Sequence, residues 1–238
     1  MSRPIKQITA NNDSTNPPIQ ENNEKLIRIT ENQHPRIFTK PIYYSQQIPN
    51  SLKDIYLRET AYKKVIQAIE LLPEQYSFIL FDGYRPLQVQ QYLFNHYYEE
   101  MRKTYPHFTE NEILGETLKY VAFPTINHDR PAPHLTGGAV DLTLGDVAGN
   151  PLNMGTEFDE MHERSATSYF EVHPGVNDEA RKNRRLLYNC MKEVGFTNYS
   201  EEWWHYDYGN FMWAKRLAKA HAIYGALTVQ VANSRIEE

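Results

Sequence analysis

Apolar residues recur at helical spacing in several stretches of the chain. The clearest stretch runs from about residue 58 to residue 72 and ends before Pro73, which cannot continue a helix. The same spacing predicts helices over about 86–105, 110–121, 177–194 and 211–223. Two of these have capping signals, since Thr109 and Glu112 have the spacing of a capping box and Asn177 can cap the helix that follows it.

Other stretches have the pattern of strands. Residues 77–81, in which four apolar residues follow Ser77, predict a buried strand, and residues 139–144 alternate between two faces. In the second stretch the apolar face should meet the core, which leaves Asp141 pointing towards a cleft. Residues 196–199 and 203–208 predict a hairpin, and residues 42–44 a further short strand. Because helices and short strands do not alternate strictly, we expect an α+β fold, a single domain with a mainly antiparallel central sheet flanked by helices.

Composition and charge restrict the class of protein. The chain has 238 residues, of which 40% are hydrophobic and 23% charged, as in soluble globular proteins. Residues 1–24 are polar and predict a tail, so residues 25–238 are expected to form the one domain. The net charge of −5 gives no basis for binding nucleic acid, which favours basic patches. No apolar run approaches the length of a membrane span.

Two further features concern location and redox chemistry. The N-terminus lacks the apolar centre of a signal peptide, which predicts a cytoplasmic protein, or a periplasmic or secreted one if the N-terminus has been trimmed. The single cysteine, Cys190, excludes an internal disulfide framework. Its apolar neighbours at helical spacing predict a packed core residue and not a nucleophile.

Two stretches far apart in the chain place imidazoles and carboxylates among apolar residues. The first, residues 134–144, is HLTGGAVDLTL, and the second, residues 202–206, is EWWHY. Charged groups in such settings are costly unless they are paired, hydrogen-bonded or bound to a metal. Two histidines and one carboxylate are the ligand count of a catalytic zinc site. His134, Asp141 and His205 are therefore candidate ligands, and the remaining carboxylate of Glu202 is the candidate general base.

Simpler interpretations stay open for each residue. His134 and Asp141 could be a solvated histidine beside a turn-capping aspartate, Glu202 a surface acid and His205 a core histidine. His128 is a rival ligand just upstream, although its polar neighbours favour exposure. In a strict strand Glu202 and His205 would face opposite ways, so Glu202 is expected at the end of the preceding loop or at a bulge.

The two stretches resemble motifs of the VanX-type D-alanyl-D-alanine dipeptidases, which are zinc peptidases related to D-Ala-D-Ala carboxypeptidases. HLTGGAVDLTL matches their H-x-x-G-x-A-x-D core, and EWWHY matches their E-x-x-H element. Further similar stretches lie in the same order at residues 82–86, 154–159, 163–165 and 183–185, so the resemblance covers about residues 25–224. It implies one catalytic zinc ion in a cleft, with the ligands and base named above, and hydrolysis of the small dipeptide D-Ala-D-Ala to two D-alanines.

The resemblance also gives roles to two residues that the patterns leave ambiguous. It implies that Arg85, at a strand-to-helix turn, lies near the metal and steadies developing negative charge; a salt bridge with Asp82 is the alternative. It implies that Asp159, in a stretch without clear periodicity, lies close to the free amino group of the substrate. Asp159 could instead cap a turn or pair with Arg164.

The chain departs from the family pattern in ways that leave its substrate preference open. The family usually has a serine two residues before the first metal-binding histidine, where this chain has Ala132. The chain is also longer, both at the N-terminus and around residues 105–129. The alternatives are a related zinc D,D-carboxypeptidase or L,D-endopeptidase acting on cell-wall peptides, and a non-catalytic zinc-stabilised peptide-binding module. Glu202 and Arg85 argue against the module, since a structural zinc site needs neither.

Overall fold

The computed structural model describes residues 1–6, 16–31, 33–126, 129–232 and 234–236. Its strands are β1 (Leu26–Ile29), β2 (Ile37–Thr39), β3 (Ile55–Arg58), β4 (Ser77–Asp82), β5 (Ala139–Gly145), β6 (Thr197–Asn198), β7 (His205–Asp207), β8 (Val231–Ala232) and β9 (Arg235–Ile236). Its helices are α1 (Ile42–Ser45), α2 (Glu59–Glu70), α3 (Leu87–Thr104), α4 (Glu110–Thr117), α5 (Tyr169–Val172), α6 (Asp178–Glu193) and α7 (Phe211–Arg216). Within the described ranges, none of the helices is both long and apolar enough to span a membrane.

A five-stranded sheet in the order β2-β4-β5-β7-β6 forms the centre of the molecule. The β2–β4 pair is parallel, and the other pairs described in this sheet are antiparallel. The predicted α+β fold is therefore confirmed, with one parallel pair in an otherwise antiparallel sheet. Two antiparallel ribbons, β1 with β3 and β8 with β9, lie outside this sheet.

The alternation in β5 separates the core from the cleft. Val140, Leu142 and Leu144 are fully buried in the main hydrophobic core, which also contains apolar side chains of α2 and α6. Burial of each such side chain is worth about 2 kcal/mol. A shift of one residue in the pairing register of β5 would expose these apolar side chains and bury the polar ones. Their burial therefore fixes Asp141 on the face that lines the cleft. Cys190 lies in the same core with no exposed surface, as predicted.

The predicted helices are present, and their caps follow the sequence. Thr109 and Glu112 form the capping box at the start of α4, and the Asn177 side chain accepts a hydrogen bond from the backbone N–H of Ala180 at the start of α6. Two helices end earlier than predicted, α4 at Thr117 and α7 at Arg216. In α7 the chain turns away at Ala218, whose φ of 48° is incompatible with a right-handed helix.

The prediction of a strand at residues 42–44 is wrong. These residues begin the helical turn α1, and the strand lies earlier, at β2. Their β-prone side chains are overridden by tertiary contacts, because Tyr43 is buried against Ile48 and Val89. Pro41 stands at the N-cap of the turn, where its missing N–H costs no hydrogen bond.

A buried arginine joins the N-terminal segment to the turn that precedes β5. The Arg58 side chain is fully buried and donates from Nε to the carbonyl oxygen of Thr136 over 2.8 Å. Its Nη1 and Nη2 atoms donate to the two carboxylate oxygens of Glu21 over 3.0 and 2.9 Å, and Nη1 also donates to the carbonyl oxygen of Glu24. The Glu21 carboxylate therefore neutralises a buried cation that supports the entrance to β5.

We expect Glu21→Gln to lower the free energy of unfolding by about 1–2 kcal/mol. The reason is that the buried guanidinium loses the one carboxylate that lies within 4.0 Å of it among the described residues. Urea unfolding would measure the change. Glu74→Gln, which alters an exposed carboxylate, is the control and should have little effect. Equal stability of the two variants would contradict this role of Glu21.

Candidate metal centre and active site

Three elements bring the candidate ligands together. Asp141 lies in the middle of β5, and His205 begins β7 as its direct cross-strand partner. His134 lies in the 3₁₀ turn Pro133–Thr136, which ends at Gly137 with a left-handed φ of 69°. This left-handed φ favours glycine, and a Cβ atom at Gly137 would in addition displace a Leu26 methyl group, which would lie 2.5 Å away. The three candidate ligands are all buried.

The potential ligand atoms lie within the spacing of a single coordination sphere. The Nε2 atom of His134 is 3.2 Å from Nδ1 of His205 and 3.3 Å from Oδ2 of Asp141. The Nδ1 atom of His205 is 3.0 Å from Oδ1 of Asp141. Zinc bonds of about 2.0–2.1 Å at tetrahedral angles place neighbouring ligand atoms about 3.3 Å apart. The spacing therefore suits one ion.

In each imidazole, the nitrogen that points away from the cluster makes a hydrogen bond, and this bond fixes which nitrogen faces the cluster. The Nδ1 atom of His134 lies 2.7 Å from the carbonyl oxygen of Gly83, which can only accept, so the hydrogen-bond network assigns the proton to Nδ1. By the same assignment, Nε2 of His205 donates to Oδ1 of Asp207 over 3.1 Å. The neutral rings then direct lone pairs at each other and at the Asp141 carboxylate. A cation satisfies all three acceptors, so this donor set fits a metal ion with ligands oriented by outer partners.

The charges of the cluster lead to the same conclusion. Burial disfavours ionisation of Asp141, but His134 and His205 outweigh it and hold the pKa of this carboxyl well below its ordinary value. Burial also disfavours the charged form of His205, whereas Asp207 and Asp141 raise its pKa well above its ordinary value. The centre of the cluster thus favours positive charge, and a metal ion that binds there displaces a proton.

Glu202 lies in the turn before β7, as the broken alternation predicts. The turn is held by Asn198, whose Nδ2 donates to the carbonyl oxygens of Glu202 and His205 over 2.9 Å each. The buried Glu202 carboxylate has one ion-pair contact with the described residues, to Nδ1 of His205 at 4.0 Å. Burial raises the pKa of Glu202 to about 8, although the charge of His205 opposes the shift. A cation at the cluster would favour its ionised form.

Arg85 forms the salt bridge with Asp82 and also faces the candidate metal ligands. Its Nε donates to Oδ2 of Asp82 over 2.8 Å, and its Nη2 lies 3.5 Å from Oδ2 of Asp141. Irregular pairing between β4 and β5 aligns Asp82 with Asp141, which places both carboxylates beside the guanidinium. Gln90 and Tyr43 accept from Nη1 and Nη2 over 2.9 and 3.2 Å. These partners hold the guanidinium in one position.

Asp159 lines the same cleft from the irregular segment between β5 and α5. Its backbone has a left-handed φ of 60°, and its Oδ2 accepts a 2.9 Å hydrogen bond from Tyr43, not from Arg164. Burial raises the pKa of Asp159 to about 7, while the nearby charge of Arg85 opposes the shift. A further cation beside this carboxylate would favour its ionised form.

Arg184 fixes both ends of the segment that carries Asp159. This buried side chain donates to the carbonyl oxygen of Met154 over 2.8 Å, and to those of Arg164 and Ala166 over 2.9 and 2.8 Å. Burial lowers the pKa of Arg184 to about 9, because its hydrogen-bond acceptors are neutral carbonyls. The sequence interpretation gave this arginine no function of its own.

Two more residues of the site were missed from the sequence. Asp207, which orients His205, lies two residues further along β7 and therefore on the same face of the strand, so period-two spacing was a signal for it. Its Oδ1 also accepts from Nδ2 of Asn210 over 2.7 Å. Tyr43, which joins Arg85 to Asp159, was hidden by the wrong strand assignment.

The candidate ligands line a cleft of about 970 Å³. One wall is α3 together with residues 118–125, and the start of α7 contributes to another. The first wall is held by Gln90, whose Nε2 donates to the carbonyl oxygen of Ala122 over 2.7 Å, and by Tyr199, whose Oη donates to that of Lys119 over 2.6 Å. Part of the additional stretch around residues 105–129 thus borders the cleft.

Two further sequence expectations concern the entrance to the 3₁₀ turn. Ala132, which replaces the serine of the family pattern, is buried at the N-cap of this turn and lines the cleft without a hydroxyl group. His128, the rival ligand, lies outside the described residues.

Comparison with known proteins agrees with this geometry. The family model described as D-Ala-D-Ala dipeptidase matches residues 46–223. The D-alanyl-D-alanine dipeptidase of Synechocystis sp. is 33% identical in an alignment 183 residues long, which covers 69% of this chain and 74% of that protein. The enzyme of the same name from Escherichia coli is 36% identical over 148 residues, 62% of each chain.

Among solved structures, the vancomycin-resistance D,D-pentapeptidase VanY in complex with Zn(II) matches 71% of this chain and 83% of its own, at 16% identity and a TM-score of 0.44. That likeness is too remote to support conclusions about individual residues. The family model, by contrast, spans most of the chain, and the Synechocystis relative is matched over more than two thirds of it. The chain therefore belongs to the D-Ala-D-Ala dipeptidase family of peptidases.

Proposed function

We propose that this protein is a zinc-dependent dipeptidase that hydrolyses D-Ala-D-Ala to two D-alanines. The observation that carries the proposal is the position of Glu202, a buried carboxylate that faces the His134, Asp141 and His205 cluster without an arginine or lysine partner among the described residues. A structural metal site needs no such group. The names of the relatives supply the substrate, since they are D-alanyl-D-alanine dipeptidases.

His134, Asp141 and His205 would hold the zinc ion through Nε2, a carboxylate oxygen and Nδ1. When bound, zinc supplies Lewis-acid chemistry, which lowers the pKa of water to about 7 and polarises a carbonyl group. Gly83 and Asp207 would keep the two imidazoles in the tautomers that direct lone pairs inward.

Glu202 would move the proton. Its carboxylate would take a proton from the attacking water and deliver it to the leaving amine of the second D-alanine. Burial favours this exchange because it raises the pKa of Glu202 towards neutrality, where a carboxyl can both accept and release a proton.

Arg85 and Asp159 would act on the two charged regions of the substrate. Arg85, fixed by Asp82 and Gln90, would stabilise the oxyanion that develops at the scissile carbonyl. Asp159 would bind the free ammonium group. It would thereby select substrates that have only one residue on the N-terminal side of the scissile bond.

The size of the cleft favours a second candidate, a D,D-carboxypeptidase or L,D-endopeptidase acting on longer cell-wall peptides. Its volume of about 970 Å³ is near the upper end for sites that bind drug-sized ligands, and D-Ala-D-Ala is much smaller. Asp159 separates the two candidates, since a longer substrate presents no free amine at that position.

Release of free D-alanine by zinc-reconstituted protein tests the proposal. D-Ala-D-Ala, L-Ala-L-Ala and N-acetyl-D-Ala-D-Ala would be compared at equal concentration. Turnover of the unblocked D,D-dipeptide alone is the expected result. Turnover of the acetylated peptide alone would favour the D,D-carboxypeptidase, and turnover of none by the zinc-loaded protein would exclude both D,D-peptidase activities.

We expect Asp159→Asn to raise KM for D-Ala-D-Ala by about 10- to 100-fold, because the ammonium loses a charged acceptor. In the wild type, the Asp159 carboxylate is ionised above its pKa of about 7 and protonated below it, so KM should rise as the pH falls through that region. This rise should be absent in Asp159→Asn.

Initial rates at a series of substrate concentrations and pH values would measure both effects. Glu157→Gln, which changes an exposed carboxylate in the same segment, serves as control. An unchanged KM in Asp159→Asn would remove this residue from the binding of the amine.

A further inference from the structure

A free dipeptide carries a carboxylate as well as an ammonium group, and the roles proposed above leave the carboxylate without a partner. A carboxylate that leaves water for a cleft needs a cation or several hydrogen-bond donors. The lysines and arginines that line the described part of the cleft are Arg85, Lys119 and Arg130. The question is which of them is free to bind the substrate.

Two of these three cations are already engaged. Arg85 donates to Asp82 and contacts Asp141, and both contacts are buried. The Nζ atom of Lys119 lies 2.7 Å from each carboxylate oxygen of Glu116. Arg130 is exposed and has no carboxylate within 4.0 Å among the described residues. Its charge is therefore available to a ligand in the cleft.

Arg130 is held at a defined place in the cleft that the candidate ligands line. Its guanidinium lies 5.4 Å from the ring centroid of the buried Phe211, a cation–π contact. Its N–H groups donate no hydrogen bond to the other residues that the structure describes. Pro131 and Pro133 stiffen the short link from Arg130 to His134. The backbone N–H of Ala132, inside this link, donates to the carbonyl oxygen of Thr125 over 3.4 Å.

Arg130 and Asp159 belong to different sides of the cluster. Asp159 is joined through Tyr43 to Arg85, on the β4 side of Asp141. Arg130 contacts Phe211, which follows Asn210, and Asn210 is joined through Asp207 to His205 on the β7 side. A dipeptide whose scissile bond lies at the cluster has its two charged ends on opposite sides of that bond.

We propose that Arg130 binds the C-terminal carboxylate of the dipeptide, an inference that rests on the proposed dipeptidase function. The planar guanidinium matches a carboxylate through two parallel hydrogen bonds, which lysine cannot reproduce. With Asp159 at the amine and Arg130 at the carboxylate, the cleft distinguishes a free dipeptide from a peptide extended at either end.

The test compares D-Ala-D-Ala with its C-terminal amide, which keeps the scissile bond and the ammonium group but lacks the negative charge. In the zinc-loaded wild type we expect kcat/KM to be about tenfold higher for the acid, the effect of one charged hydrogen-bonded pair at a partly exposed site. Arg130→Gln should reduce this ratio to about one, mainly by raising KM for the acid. Arg130→Lys should retain part of the preference.

Lys119→Gln is the matched control, because it removes a second cation of the same cleft that is already paired with Glu116. It should leave the acid-to-amide ratio at the wild-type value. An unchanged ratio in Arg130→Gln, or an equal loss in Lys119→Gln, would overturn the assignment to Arg130. Failure of the proposed function would be a different result, namely that the wild type hydrolyses neither the acid nor the amide.

Discussion

Replacing Glu202 by glutamine is expected to lower kcat for D-Ala-D-Ala by about 1,000-fold while zinc remains bound. Glutamine fills nearly the same space but cannot take a proton from water, and general acid–base groups contribute about 100- to 10,000-fold to a rate. None of the candidate ligand atoms belongs to Glu202, so the cluster should keep its affinity for the metal. Because Glu202 would act on the bond being broken, KM should change little.

Steady-state kinetics and zinc content, measured on the same preparation, test this expectation. Glu201→Gln is the matched control, since Glu201 is the adjacent carboxylate but is exposed. Normal turnover in Glu202→Gln would remove this residue from the mechanism. Loss of zinc together with activity would instead make Glu202 part of the metal site.

The second large effect concerns the metal itself. Asp141→Asn is expected to lower the affinity for zinc by more than about 100-fold and to abolish turnover, because it removes the one negative charge among the three ligands. Asp207→Asn provides a comparison in which a smaller loss of zinc affinity is expected. Asp207 only orients His205, and partners of that kind are worth about 10- to 100-fold in metal affinity.

Competition with a chromophoric chelator would measure the zinc affinity of both variants, and far-UV circular dichroism would check that they fold. The expected order is wild type, then Asp207→Asn, then Asp141→Asn. An Asp141→Asn protein that folds and binds zinc as tightly as the wild type would exclude this cluster as the zinc site.

The local sequence pattern was sufficient to predict secondary structure where a segment's own residues specify it. The apolar period of α2 and the capping residues of α4 and α6 are enough to predict where these helices begin, without knowledge of distant parts of the chain. The local pattern failed at residues 42–44. Three β-prone residues are too few to specify a strand, and the packing of Tyr43 against Val89 of α3 decides the conformation there. Arg184 and Tyr43 could not be recognised as supports of Asp159, because their partners lie far away in the sequence.

What the sequence by itself determined is the chemistry that each segment can offer. It placed Asp141 on the polar face of a strand whose other face must be buried, and it placed Glu202 where strand alternation has to break. Only the tertiary structure decided which of these groups meet. The β5–β7 register sets Asp141 opposite His205, and the irregular β4–β5 pairing aligns Asp82 with Asp141. Such pairings depend on how the whole sheet packs, since burial of one continuous core selects a single register among those that the separate strands allow.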